Sequence, residues 1–232
     1  ASTTGSHNTA VGRQALDANT TGYSNVAIGK EALSGNTTGH RNVAIGLDAM
    51  LLSNGTYNVA VGSYALDANT TGGSNVAVGM HALGSNSTGA NNTACGYEAL
   101  SSTTVDDQTA FGYGAMNQNT TGAGNVAVGM RAKRYGTGHN YCTAVGYYAL
   151  QGTNGYNASH NNTAIGYQAL KVNAEGSNNV AVGMNALQQS TSGYRNTAVG
   201  SGACDAVTTG DDNTSVGNLA LDALTTGNYH VA

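Results

Sequence analysis

The chain has 232 residues, of which 34 are Gly, one is Phe and none is Pro or Trp. Only 9% are charged, against roughly 25% in an ordinary globular protein, so Asn, Thr, Ser and Gly must cover its surface. A net charge of -4 with eight Lys plus Arg excludes a phosphate-binding face and hence a nucleic-acid partner, because counterion release needs clustered positive charge. No stretch approaches the eighteen or so apolar residues of a membrane span.

Self-similarity organises everything else. The pentapeptide NTAVG begins at Asn8 and returns as NVAIG at Asn25 and Asn42, NVAVG at Asn58 and Asn75, NTACG at Asn92 and QTAFG at Gln108. It continues from Asn125, Cys142, Asn162, Asn179, Asn196 and Asn213, and a truncated copy ends the chain at His230 to Ala232. The step is 17 residues except for two of 16 and one of 20. Residues 1–232 therefore form a single repeat array with the consensus N-[VT]-A-[VI]-G-x-x-A-L-x-x-N-[TS]-T-G-x-x, whose places are numbered 1 to 17 below.

A 17-residue unit cannot bury a core alone, so neighbouring units must stack as coils of a solenoid. The alternation in N-V-A-I-G is strand patterning, with Val and Ile on one face and Asn, Ala and Gly on the other. Ala fills place 3 in all complete units but one (Ser215) and place 8 in all thirteen. With the Leu or Met of place 9, these residues predict a narrow interior between two walls. N-T-T-G supplies a turn, with Gly free to take positive φ. The expectation is an all-β protein, a β-solenoid of about thirteen coils with two short strands each, forming an elongated rod of roughly 60 Å at strand spacing. The chain opens inside one unit and closes inside another without capping sequences, which predicts a segment of a longer fibre or a unit that joins end to end.

The N-[VT]-A-[VI]-G-x-x-A-L pattern resembles the head repeats of trimeric autotransporter adhesins, the YadA-like β-roll, and similar repeats in phage and bacterial tail fibres. The resemblance spans the whole array. It implies a left-handed coil and a homotrimeric, extracellular, non-enzymatic fibre segment on a virion or cell surface, attaching to a glycan or protein receptor. The alternatives are an end-to-end polymerising filament, with or without glycosylation, and, on the Thr-Thr column (Thr3, Thr20, Thr37, Thr70, Thr120, Thr208, Thr225), an ice-binding solenoid.

No column of equal places carries a catalytic, cofactor or metal set, so none is expected. The array breaks its rules between Arg131 and His160, with Lys133 for Leu, a run of Tyr and a three-residue insertion. Arg131, Lys133, Arg134, Tyr135, Tyr147, Tyr148 and Tyr156 are therefore the candidate glycan-binding residues, because ring faces stack on sugars while cations meet acidic groups. N-x-[ST] sequons at the turns make Asn19, Asn36, Asn54, Asn69, Asn86, Asn119 and Asn157 candidate N-glycosylation sites.

Overall fold

A computed structural model of the chain describes residues 4–153 and 159–232 and divides it into two compact units, Ala1–Phe111 and Gly112–Ala232. Both are β-solenoid. In the first unit, strands β1 (Thr9–Val11) to β7 (Thr109–Phe111) follow in chain order, each pairing in parallel with the next. In the second, β8 (Val126–Val128) to β13 (Thr214–Val216) do the same. Equal places always oppose one another, Ala27 against Ala44 and Ala181 against Ala198, so a residue type at one place becomes a column. There is no helix among the described residues.

The predicted walls are where the pattern put them. Ala at place 3 and Ala-Leu at places 8 and 9 are fully buried through the array, from Ala27, Ala32 and Leu33 to Ala198, Ala203 and Cys204. Val, Ile and Thr at places 2 and 4 point outward, half-buried or exposed. The Ala-Leu wall, however, is not a second strand. Places 7 and 9 are left-handed in coil after coil, as at Glu31 (φ 57) and Leu33 (φ 52), and place 17 is left-handed at Arg41 (φ 57). Alternate left-handed residues fold the backbone back before it can extend. The coil-to-coil bonds survive, Leu33 N donating to Ala49 O at 3.0 Å and Glu31 N to Arg13 O at 2.8 Å.

Glycine recurs at two places of the coil, for different reasons: place 5 is Gly in every complete unit, while place 15 is Gly in most and gives way at His139 and Ser159. At place 5, Gly62 has φ 138 and a Cβ there would meet the carbonyl of Gly79 at 2.7 Å. The turn glycine at place 15 has no positive φ, contrary to the expectation from N-T-T-G. Crowding demands it instead: a Cβ on Gly89 would lie 2.5 Å from both Val105 O and Asn86 Oδ1.

The polar interior is an amide ladder. Asn25 Oδ1 accepts the backbone N–H of Asn42 at 3.0 Å, while its Nδ2 donates to Gly39 O at 2.9 Å. The turn residue Asn36 donates to the same Gly39 oxygen at 3.1 Å. Each of these bonds offsets the desolvation cost of a buried group, although Asn36 Oδ1 itself has no partner. The Thr column is engaged too, Thr20 Oγ1 donating to Thr37 O and Thr70 Oγ1 to Ser87 O, each at 2.9 Å.

Candidate functional site

The sequon positions are the first to be relocated. Asn19, Asn36, Asn69, Asn86 and Asn119 are the place-12 amides, buried, with each Nδ2 donating to the glycine carbonyl three residues on at 2.8–3.1 Å. The nitrogen that would carry a glycan is inside the folded array, where it serves as a structural donor at all five positions. Asn54 is half-buried and its Oδ1 accepts from Thr37 and Thr38. Asn157, like Tyr156, lies outside the described residues.

The irregular coil, Asn125 to Tyr141, separates into an outer and an inner constellation. Outside, the Arg131 guanidinium lies over the rings of Tyr113 and Tyr148, 5.7 and 5.9 Å from their centroids, and donates to Tyr148 Oη at 2.8 Å. That bond raises the Arg131 pKa, and hydrogen bonds from Tyr147 and Arg131 lower that of Tyr148. Tyr147 meets Tyr148 edge-on at 4.2 Å and stacks on Tyr167 at 5.5 Å, while Lys171 Nζ sits 5.7 Å over Tyr148. Arg134 covers Tyr135 at 5.0 Å. Thus Arg131, Tyr147 and Tyr148 come together as expected, joined by Tyr113, Tyr167 and Lys171, which the same place 6, 7 and 10 columns could have supplied. Tyr147 and Tyr167 turn a face to each other, and Arg131 and Lys171 lie over the Tyr113 and Tyr148 faces, so the cations and hydroxyls are prominent on this wall. The first unit holds a second ladder of this kind, Tyr23 stacked on His40 at 4.5 Å with Arg41 over Tyr23 and Tyr57.

Lys133 does not belong to that wall. It is fully buried, in the Leu column. Four further replacements surround it: Gly136 stands for the turn Asn, His139 and then Ser159 for the turn Gly, and Cys142 for the strand Asn. Together they rewrite the interior where two neighbouring coils meet. In the first unit one pair of place-12 amides is joined directly, Asn36 Nδ2 donating to Asn19 Oδ1 at 3.1 Å. Here Gly136 has no amide, and Lys133 Nζ donates to Asn119 Oδ1 at 3.3 Å instead. A Cβ on Gly136 would lie 3.0 Å from that Nζ and 3.3 Å from His139 Nδ1, so glycine makes room for both. The buried imidazole contacts Ser159 Oγ at 3.1 Å. The Cys142 Sγ–H replaces the lost amide donor, reaching Asn140 O at 3.4 Å and Ser159 O at 3.7 Å. Burial pushes the Lys133 amine down to about 8 and the Cys142 thiol up. The place-15 column, in which Gly gives way to His and Ser, was the sequence signal for this pocket.

The acidic turns are coil-to-coil caps. Asp106 Oδ1 accepts Ala90 N at 2.7 Å, Asp211 Oδ1 accepts Tyr194 N at 2.8 Å, and Asp212 takes Arg195 through two bonds of 2.6 and 2.8 Å. Among the described residues no three His, Cys, Asp or Glu side chains are placed to hold a metal ion, and no helix is long and apolar enough to cross a membrane. Comparison with known protein families, characterised proteins and solved structures finds no match to this chain.

Proposed function

We propose that this chain is a non-enzymatic structural segment of an extracellular attachment fibre, assembled from copies of itself. The observation that carries the reading is the outer strand face. Places 2 and 4 bear no charge in any coil, and in the second unit neither does place 6. Val126, Val128, Met130, Tyr147, Ile165, Tyr167, Met184 and Val199 of that unit are all exposed. A contiguous apolar face of this kind marks an interaction surface. It is uncharged and repeats in register, so the partner it complements is another such face: a second copy of the chain. The interior supports the same reading, because its strand amides hold coil to coil, Asn25 accepting from Asn42 and Asn75 from Asn92. The Arg131–Tyr148 pair, flanked by Arg134, Tyr135 and Lys171, borders that face at Tyr147, and its cations and hydroxyls suit an acidic glycan.

Sedimentation over a range of concentrations tests the assembly. The expected result is a discrete oligomer that Ile165→Lys combined with Met184→Lys converts to a single chain with unchanged circular dichroism. A wild-type chain that stays monomeric at high concentration would overturn it. Indefinite filaments by electron microscopy would replace it with end-to-end polymerisation.

A further inference from the structure

The pocket around Lys133 holds an amine against a carboxamide away from water. Lys133 and Asn119 are both fully buried, Nζ is 3.3 Å from Oδ1, and the amide plane is fixed by Nδ2 donating to Gly122 O at 2.8 Å. An amine in free solution does not displace an amide nitrogen at neutral pH, because it is protonated and the encounter is brief. Both obstacles are reduced here. Burial leaves about one amine in ten neutral at pH 7, and the contact is intramolecular, where effective concentrations are very large. A proton carrier is also present, since the ring of His139 and Nζ flank the same point beside Gly136.

We infer that Lys133 and Asn119 condense into an isopeptide bond that joins adjacent coils covalently. Neutral Nζ attacks Cγ of Asn119, and the proton it sheds passes to His139. The imidazolium returns that proton to Nδ2 as the Cγ–Nδ2 bond breaks, and ammonia leaves. One C–N bond forms, one breaks, and nothing is oxidised or reduced. The inference accounts for a Lys in a column that elsewhere holds Leu, Met or Cys, and it stands whether or not the chain self-associates.

Intact mass of the purified full chain tests it. The expected mass is lower than that of the sequence by one ammonia, and after trypsin the segments containing Asn119 and Lys133 travel as one branched peptide. Lys133→Leu restores the repeat consensus and Asn119→Ser installs the residue found at the equivalent Ser53 and Ser190, so both variants retain the fold; each should show full mass. His139→Gly, also consensus, should slow bond formation at least tenfold. Full mass in folded wild-type protein after prolonged incubation in mildly alkaline buffer would overturn the inference. So would an ammonia loss that persists in Lys133→Leu, since it would then arise elsewhere.

Discussion

At the scale of single residues, the fold rests on amides that a surface reading of the composition assigns to solvent. Asn75 Oδ1 accepts the N–H of Asn92 at 2.9 Å and its Nδ2 donates to Gly89 O at 2.9 Å, all in the buried interior. Asn75→Ala leaves the Asn92 N–H without a partner, while Gly89 O keeps its bond from Asn86. The expected loss is about 3 kcal/mol by urea unfolding, against under about 1 kcal/mol for Thr70→Val at an exposed hydroxyl. Lys133 obeys different arithmetic. In the Asn119→Ser chain, which cannot form the amide, its folded pKa of about 8 lies below the ordinary 10.5. Between those values the unfolded chain binds more protons, so this residue's contribution rises with pH through that window and is least favourable below it. Lys133→Leu in that background should therefore stabilise the protein at pH 7 by roughly 3 kcal/mol, a gain that disappears above about pH 10.5. A gain independent of pH would show that packing, not charge burial, limits the wild-type coil.

At the scale of the coil, backbone conformation sets what each place tolerates. Gly62→Ala meets both a positive φ and the Gly79 carbonyl, and is expected to cost 3 kcal/mol or more, or to prevent folding. Ser74 at place 17 is left-handed (φ 57) and exposed, and Gly124 already occupies the same place. Ser74→Gly should consequently be neutral or stabilise by up to about 1 kcal/mol, where Ser74→Val should destabilise by about the same amount, as thermal unfolding will register. The coil also explains what the sequence could and could not reveal. Periodicity displayed the strand, the Ala columns and the Leu wall, because each is a repeated size constraint. It misplaced the second strand, because Gln, Glu, Asp and Tyr at place 7 carry no sign of left-handed backbone; only Gly114 and Gly202 hinted at it. It placed the sequon amides on the surface, because Asn forms turns in solvent as readily as ladders in a core. It read Lys133 with Arg134 as one basic patch, although one points into the Leu column and the other lies over Tyr135.

At the scale of the whole array, each coil's partners are its neighbours, so the unit is exchangeable in a way that a globular core is not. Asn58 Oδ1 accepts Asn75 N at 2.9 Å, and Asn75 Oδ1 accepts Asn92 N at 2.9 Å. Removing residues 75–91 joins Ser74 to Asn92 and presents the same N–H to Asn58, the same Ala to the Ala column and the same Leu to the Leu column. That deletion should leave a folded protein with an unchanged circular dichroism band shape, and a urea m-value reduced in proportion to the surface one coil buries. Removing only residues 80–87 leaves a nine-residue remnant, Asn75 to Gly79 followed by Thr88 to Asn91, which keeps the strand but loses the Ala82-Leu83 pair and is too short to close a coil, so the stack should break at that point. The natural length variants fit this distinction, since the 16-residue units from Asn42 and Asn92 and the 20-residue unit from Cys142 all keep N-x-A-x-G-x-x-A-L or its equivalent intact and change length only after it. Equal damage from the two deletions would mean that stability is shared across many coils at once, and that the array folds as one globular core rather than as a stack.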